Sequence, residues 1–399
     1  MLHDKIAPPQ TAHNSPPEPD RLAALDGQHS ATVTRLREMC QLALTGLQRM
    51  TPDGLRFSNT MRGIGAVNGG GTHPEGDNLR YAIIVAQGLA WSPQAVQRQV
   101  LQNHTAIDLL RTCIDRAKSS SDPGAIALAA WAAAETAGLY VPELFEHLEA
   151  YLEGKNAVQT VPCAWALTAA IAARQLGPCG RVQHLASRLL LSAQSPSGLF
   201  GHTMPAAAAG FARGHIGCFA DQVYPIQALA RLGYANTDPL ALKAANACAA
   251  RIVALQGPAG QFWWHYDTRD GCVVEGYPVY SVHQHAMAPL ALLDLYEAGG
   301  TDHRDAVVKG VHWIDQRPET TEPMVSTEDA VIWRKVGRQE PPKLVRSLSA
   351  VTTFVRAGWH LPGLDTAFRP AKIDRECRPY EFGWMLYAWH ARGVVQALR

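Results

Sequence analysis

The chain has 399 residues, 47% of them apolar, and its 36 basic and 35 acidic side chains give a formal net charge of +1. This balance provides no electrostatic basis for binding DNA, RNA or an anionic membrane surface. No apolar run reaches the roughly 18 residues that a membrane span needs. We therefore predict a globular protein with no nucleic-acid partner and no transmembrane segment.

The first 30 residues begin MLHDKIAPPQTAHNSPPEPD and are polar and rich in proline. A signal peptide needs a basic start followed by an apolar core, and this composition differs from that pattern. We predict a disordered tail over residues 1–30, one domain over residues 31–399 and a cytoplasmic location. The eight cysteines are scattered without a C-x-x-C pair, so we expect buried free thiols.

Six segments are predicted to be helices buried on all sides, because alanine and larger apolar residues run almost all round them. In chain order they begin near Leu79, Ala125, Cys163, Val223, Tyr280 and Tyr380. Amphipathic helices alternate with them, with charges on one face and leucine, isoleucine or valine on the other. Examples begin near Val141, Arg181 and Pro239, and residues 33–50 supply the first outer helix.

This alternation has a period of roughly 36 to 61 residues, which indicates an array of helical hairpins. Six hairpins fit the length. Polar groups lie near the starts of the inner helices, and a closed ring in which those ends converge on one cavity explains them best. We predict an all-α fold, an (α/α)6 toroid, with short β-hairpins or loops at the cavity mouth. The stretch FWWHYDTRDGCVVEGY has the aromatic residues and D-G turn signal of such a hairpin.

Parts of the chain resemble three groups of α/α toroids. ALQGPAGQFWW and LLLSAQSPSGLFGH resemble the glutamine–tryptophan repeats of terpenoid cyclase and prenyltransferase toroids, in which a helix ends in glutamine and a glycine and an aromatic follow. The passage from GQFWWHYDTRDG into YSVHQHAMAPLALLDLYEAGG is similar to N-acylglucosamine 2-epimerase barrels. The six-hairpin glycosidases are similar in architecture. These resemblances imply either a carbohydrate-active enzyme or a terpenoid cyclase-like enzyme.

The aromatic hairpin and the helix after it carry the strongest site candidates. The flat faces that can stack on a sugar ring or stabilise a cation belong to Trp263, Trp264, Tyr266, Tyr277 and Tyr280. His265, His283 and His285 can transfer protons near neutral pH. Asp267 and Glu275 can orient those imidazoles or act as acids. Because His283 and His285 are two residues apart, they diverge by about 200° on a helix and cannot both face the cavity.

Two polar clusters lie directly before inner helices. Asn78, Arg80 and Tyr81 follow the glycine-rich segment NTMRGIGAVNGGGTHPEGD, whose backbone N–H groups can bind an anion. A surface loop is the alternative. Arg378 can bind a carboxylate or phosphate of the substrate, with Glu381 beside it at the start of the last helix. Charge pairs that join the last hairpin to the first explain this second cluster equally well.

A third cluster, GHIGCFADQ, precedes another inner helix. Asp221 is predicted as either the N-cap of that helix or an active-site acid. His215 and Cys218 have the spacing of metal ligands, but two ligands do not make a zinc site, so we predict neither a metal nor a cofactor. The basic segment VIWRKVGRQEPPKLVR is interpreted as a solvated linker.

Together these features favour an enzyme that acts on a small-molecule or oligosaccharide substrate. The leading hypothesis is a sugar epimerase, isomerase or hydrolase, with an anionic sugar as one option, that uses histidine and carboxylate acid–base chemistry in the central cavity. A terpenoid cyclase-like enzyme that uses the aromatic residues is the second hypothesis. A non-catalytic toroid that binds a glycan or a protein is the third. The oligomeric state stays open.

Overall fold

A computed structural model describes residues 20–65, 68–210, 213–341 and 343–399. Its α-helices, in chain order, are α1 (Arg21–Arg49), α2 (Leu79–Leu89), α3 (Gln94–Val100), α4 (Ala106–Lys118), α5 (Pro123–Ala137), α6 (Pro142–Glu153), α7 (Thr160–Ala173), α8 (Gly180–Ala193), α9 (Ala220–Asn236), α10 (Pro239–Ala254), α11 (Ala288–Glu297), α12 (Arg304–Gln316), α13 (Leu344–Val355), α14 (Leu364–Ala367) and α15 (Pro379–His390). A π-helical turn, His283–Met287, leads directly into α11. Helix α1 begins at Arg21, so residues 21–30 of the predicted tail are helical, and residues 1–19 lie outside the described ranges.

Six helices form a closed inner ring. In this ring α2, α5, α7, α9, α11 and α15 each pack against the next, and α15 packs against α2. The outer helices α1, α4, α6, α8, α10 and α12 pack around them. Each outer helix precedes its inner partner in the chain, which gives six hairpins. The predicted (α/α)6 toroid and its six inner helices are confirmed.

The ring closes through a very close backbone contact between α2 and α15. A Cβ atom added at Gly88 would lie 2.2 Å from the carbonyl oxygen of Gly383, and one added at Gly383 would lie 2.7 Å from that of Ile84. Both distances are too short for any side chain, so each helix needs glycine at the crossing. The small residues that dominate the inner helices therefore set how tightly the ring can close.

Two consecutive hairpins repeat one hydrogen-bond pattern at a spacing of 62 residues. Gln194, just after α8, donates a hydrogen bond of 2.8 Å to the carbonyl oxygen of Ala244 in α10. Gln256, just after α10, donates an equivalent bond of 2.8 Å to Ala306 in α12. Each glutamine therefore fastens the end of one outer helix to the next outer helix.

A second pair of glutamines repeats at the same spacing inside the ring. Gln222 in α9 accepts from the backbone N–H of Phe200 at 2.9 Å and donates to its carbonyl at 2.9 Å. Gln284, in the π-helical turn, pairs with the backbone of Phe262 at 3.0 and 3.2 Å. These bonds hold both aromatic loops against the starts of the inner helices.

Short strands occupy most of the connections that lead into inner helices. They are β1 (Thr60–Gly63), β2 (Thr72–Glu75), β3 (Val158–Gln159), β4 (Thr203–Met204), β5 (Ile216–Cys218), β6 (His265–Asp267), β7 (Val273–Glu275), β8 (Val279–Tyr280), β9 (Val325–Ser326), β10 (Val331–Ile332), β11 (Lys335–Arg338), β12 (Pro370–Asp374) and β13 (Glu376–Cys377). The predicted hairpin is confirmed, since β6 pairs antiparallel with β7 and β5 pairs with the other edge of β6. Because these strands come before inner helices, they lie at the end of the ring where those helices begin.

At the other end of the ring, where the inner helices finish, lies a buried ionic network. Arg231 in α9 donates at 2.6 Å to Asp294 in α11, at 2.6 Å to Glu135 in α5 and at 2.7 Å to the hydroxyl of Tyr387 in α15. Arg21 at the start of α1 donates to Asp294 as well. The network fills the ring axis with paired charges and links the first helix to the fifth hairpin.

All eight cysteines are free thiols, and six of them are buried. Burial raises the pKa of thiols such as Cys40 and Cys113 to about 12, so these side chains behave as small apolar groups. The predicted buried thiols are thus found at all positions except Cys218 and Cys272, which are partly exposed. No helix in the described ranges combines the length and apolar character that crossing a membrane requires.

Candidate active site in the toroid cavity

The starts of the inner helices surround a cavity of about 330 Å³. Its volume lies at the lower end of the range for small-molecule sites. Seven aromatic side chains line it: Tyr81, Trp165, Tyr224, Trp264, Tyr280, Tyr380 and Trp384. Flat apolar faces with a polar edge suit a ligand that is itself apolar on its ring faces and polar around them, as a sugar is.

Two arginines supply positive charge at the cavity wall. Arg80 in α2 is paired with Asp122, the N-cap of α5, through a 2.5 Å bond from Nε. Arg334, between β10 and β11, lies 5.1 Å above the ring of Tyr280. The segment that holds Arg334 was interpreted as a solvated linker, and that interpretation is wrong, because the neighbouring Trp333 side chain is buried and Arg334 lines the cavity.

Carboxylates behind the wall hold the arginines in place. Glu376 lies 3.4 Å from Arg334 and 3.3 Å from Arg378, which donates at 2.9 Å to the hydroxyl of Tyr81. Glu381 lies 3.7 Å from Arg334, and burial raises its pKa to about 7 although the arginine opposes the shift. Arg378 and Glu381 therefore lie behind the residues that line the cavity, and they contact Tyr81 and Arg334, which do line it.

One imidazole at the cavity is paired with a buried carboxylate. His202 is 48% exposed, and its Nδ1 lies 3.2 Å from Asp221, which is fully buried in the first turn of α9. The hydrogen bond to Asp221 raises the pKa of His202, although burial acts in the opposite direction. The backbone N–H of Cys218 donates to the same carboxylate at 2.8 Å. This pair can orient one imidazole nitrogen and leave the other for a ligand.

His202 was not among the sequence candidates, although the internal repeat contained the signal. With Gln194 aligned on Gln256, and Phe200 on Phe262, His202 falls on Trp264. Both positions line the cavity. Because Trp264 was already a candidate, an alignment of the two glutamine–aromatic segments identifies His202 as the equivalent residue of the preceding hairpin.

Of the two histidines in the π-helical turn, only one reaches the cavity. His283 lines it and lies 4.3 Å from the Phe219 ring and 5.0 Å from the Tyr280 ring. Burial lowers its pKa to about 3, so the imidazole is neutral near pH 7. His285 is fully buried outside the lining, and neither of its ring nitrogens has a hydrogen-bond partner among the described residues. The predicted divergence of the two side chains agrees with this placement.

The aromatic hairpin contributes one side chain to the cavity. Trp264 lines it, and His265 stacks behind Trp264 at 4.0 Å with its pKa lowered to about 3 by burial. Tyr266 is fully buried in the core. Asp267 is also buried and is paired with Arg269 at 2.7 Å, so this carboxylate stabilises the hairpin turn. The structure does not bring these last two residues to the cavity.

The other side of the hairpin faces a second cavity of about 530 Å³. Trp263, Glu275 and Tyr277 line that space together with Arg338. Glu275 is nearly fully buried and is paired with Arg338 at 3.0 Å, while the arginine stacks on Tyr277 at 4.7 Å. The adjacent tryptophans Trp263 and Trp264, which were assigned to one site, therefore line two different cavities.

The backbone of the glycine-rich segment binds a carboxylate of the same chain. The backbone N–H groups of Gly69 and Gly71 donate to the carboxylate of Asp329 at 2.8 and 3.1 Å. Asn78 is the N-cap of α2 and accepts from the N–H of Tyr81 at 3.2 Å. The anion-binding geometry expected from the glycines is present, but a side chain of the protein occupies it.

Comparisons with known proteins match the fold only. No family model and no curated protein matches this chain in sequence. A crystal structure of an unsaturated glucuronyl hydrolase specific for heparin aligns with a TM-score of 0.55 and 11% identity over 88% of this chain and 95% of that chain. A possible GH105 family member from Salmonella enterica serovar Paratyphi A gives 0.52 and 12% over 91% and 93%. The unsaturated glucuronyl hydrolase of Streptococcus agalactiae gives 0.51 and 8% over 92% of both chains. These structures share the six-hairpin toroid predicted from architecture.

Proposed function

We propose that this protein is a glycoside hydrolase that binds an anionic saccharide in the toroid cavity and transfers protons through His202 and Asp221. The observation that carries the proposal is a half-exposed imidazole held by a fully buried carboxylate on a cavity lined by seven aromatic side chains. Support comes from the solved structures of the same fold, several of which are named as glucuronyl hydrolases.

The cavity suits the end of a saccharide chain. Aromatic faces bind the sugar rings, and Arg80 or Arg334 binds the carboxylate of a uronic acid, since a planar guanidinium can hold two oxygens at once. The ionic network around Arg231 occupies the ring axis away from the inner-helix starts. A substrate that cannot pass through the ring is processed from its terminus, so we expect exo-acting hydrolysis.

The proton steps follow from the His202–Asp221 pair. His202 donates a proton to the oxygen that leaves as the glycosidic C–O bond breaks, and water supplies the hydroxyl group to the sugar and a proton back to the imidazole. Asp221 keeps the ring oriented and stabilises its cationic form, as a buried carboxylate does beside an acid–base histidine. His283 stays neutral and can bond a sugar hydroxyl within the cavity.

The cavity gives less support to the terpenoid hypothesis. A carbocation in this space would lie near two guanidinium groups, and like charges repel where water is excluded, although Asp122 and Glu376 partly neutralise these arginines. The aromatic lining alone would favour such a cation, so the arginines decide between the two chemistries. They favour a substrate with negative charge.

The test is hydrolysis of oligosaccharides that end in glucuronate, in a 4,5-unsaturated uronate or in a neutral sugar, assayed with a chelator present. We expect turnover of a uronate-ended substrate and a loss of at least about 100-fold in His202→Ala, the lower end of acid–base contributions. His312→Ala is the matched control, because His312 bonds Thr32 between outer helices. Full activity in His202→Ala, or no turnover of any uronate-ended substrate, would overturn the proposal.

A further inference from the structure

Three potential metal ligands converge at the wall of the toroid cavity. One donor atom each from His202, Cys218 and Asp221 lies within 4.8 Å of the other two. They belong to two pieces of chain: His202 lies in the loop before β4, and Cys218 and Asp221 lie where β5 leads into α9. His202 and Cys218 also line the cavity, so a bound ion would be accessible from it.

The donor set indicates which class of ion would bind. An imidazole nitrogen, a thiolate sulfur and a carboxylate oxygen suit zinc and related transition metals, whereas magnesium and calcium prefer oxygen alone. Three protein ligands with an open position towards a cavity are typical of reactive rather than structural zinc sites. The cluster therefore matches a thiophilic divalent cation with one coordination position left for solvent.

The arrangement also leaves two acidic groups side by side. Cys218 is partly exposed and lies beside the fully buried Asp221. A cation bound between them would take the place of the thiol proton, because cysteine binds a metal as the thiolate. Outer contacts already hold the ligands, since the N–H of Cys218 bonds Asp221 at 2.8 Å and Gln222 bonds the Cys218 carbonyl at 3.0 Å.

The prediction that no metal binds rested on a different pair of possible ligands. It combined Cys218 with His215, but Nε2 of His215 lies 3.2 Å from the hydroxyl of Thr353 in α13. Within the described residues the third donor that accompanies Cys218 and Asp221 is His202, which lies 16 residues before Cys218 in the chain. Spacing along the sequence could not reveal it, because the loop that carries His202 folds back onto β5.

A second cluster of similar composition serves as an internal comparison. Asp267, Asp270 and Cys272 also lie within 4.8 Å of one another in the hairpin turn. There, however, Arg269 already neutralises Asp267 at 2.7 Å, and no imidazole contributes. The hairpin cluster therefore offers a cysteine that can be substituted as a matched control.

We propose that His202, Cys218 and Asp221 bind one divalent cation of the zinc class, and that the bound cation blocks hydrolysis by occupying the proton-transfer pair. The inhibitory part rests on the proposed function, whereas the binding part does not. A metal bound to the imidazole and the carboxylate prevents them from exchanging protons with a substrate. Zinc would then be a reversible inhibitor of the cavity.

The test uses the full-length protein after treatment with a chelator. Titration with Zn²⁺ gives the affinity and stoichiometry, and titration with Co²⁺ reports thiolate ligation through a near-ultraviolet charge-transfer band. We expect one cation per chain, with affinity at least about tenfold lower in Cys218→Ala and in the isosteric Asp221→Asn, and no charge-transfer band in Cys218→Ala. Cys272→Ala should bind as the unmodified protein does. Circular dichroism confirms that each variant is folded.

The outcomes separate the two proposals. Site-dependent zinc binding by a protein that hydrolyses no uronate-ended saccharide would support the cation site and overturn the proposed function. Hydrolysis by the chelator-treated protein without zinc binding, or with equal binding in Cys218→Ala and Cys272→Ala, would overturn the cation site. Hydrolysis that rises on addition of zinc would overturn the inhibitory part alone.

Discussion

Substitution of Arg231 by methionine should destabilise the protein strongly without touching the cavity wall. Arg231 is fully buried and donates hydrogen bonds to Asp294, Glu135 and Tyr387. Methionine keeps much of the length but removes the charge, so Glu135 loses its cationic partner and Asp294 keeps only Arg21, which it shares with Glu297. Breaking a buried ion pair from one side costs about 3–5 kcal/mol, because the remaining charges stay desolvated.

This cost can be converted into a melting temperature. Unfolding entropy of about 2.1 cal/mol/K per residue gives about 0.8 kcal/mol/K for a chain of 399 residues. A loss of 3–5 kcal/mol therefore lowers the melting temperature by about 4–6 °C. Differential scanning calorimetry at pH 7 measures the shift. Asp305→Asn is the control, because the Asp305 side chain is 99% exposed and its removal should change stability by no more than about 0.5 kcal/mol.

A second substitution tests the electrostatic cause. In Arg231→Met, Glu135→Gln removes a carboxylate that has lost its cationic partner, so the double variant should regain about 0.5–3 kcal/mol, the usual range for coupled neighbours. A melting temperature for Arg231→Met within 1 °C of the unmodified protein would refute the reasoning. Equal or lower stability of the double variant would show that packing rather than charge explains the loss.

Two further predictions concern buried groups elsewhere in the ring. His285 has a folded pKa of about 3 against an ordinary value of 6.5, so the unfolded chain takes up its proton first and stability falls as pH drops from about 6.5 towards 3. His285→Leu should remove about 1.4 kcal/mol of that loss per pH unit. The prediction is contradicted if the melting temperatures of the variant and the unmodified protein fall in parallel from pH 7 to pH 5. Gln284→Leu leaves both backbone groups of Phe262 unpaired and should cost about 1–3 kcal/mol for each, measured as a fall in melting temperature. Gln316→Leu, at the exposed end of α12, is its control, and an equal effect of both substitutions would contradict the role of the bonds.

Much of the fold could be predicted because its elements have strong local signals. Helices that are apolar all round, such as α5, are stable only when other helices surround them. The D-G turn likewise marked the hairpin between β6 and β7. The elements between α12 and α15 were missed, since their strands are only two to five residues long and their pairing partners lie far away in the chain.

The site was harder to predict than the fold. Helix starts were expected to face the cavity, and Arg80, Tyr81, Tyr280 and His283 do line it. Side chains within loops depend on how the loop folds back, which no periodicity encodes. For this reason His202 and Arg334 were missed, while Asp267 and Glu275, which were chosen for their chemistry, have their charges occupied by nearby arginines.

The contact between α2 and α15 also has a consequence for how the protein is made. The closing backbone contact joins Gly88, in the first quarter of the chain, to Gly383, near its end. Synthesis proceeds at about 5–20 residues per second, so α1 and α2 exist for many seconds before their partner leaves the ribosome. During that time the apolar faces that α15 covers are exposed to water. The first helices of the ring therefore depend on the last helix to be synthesised. A chain that stops before α15 would leave their apolar faces exposed to chaperones.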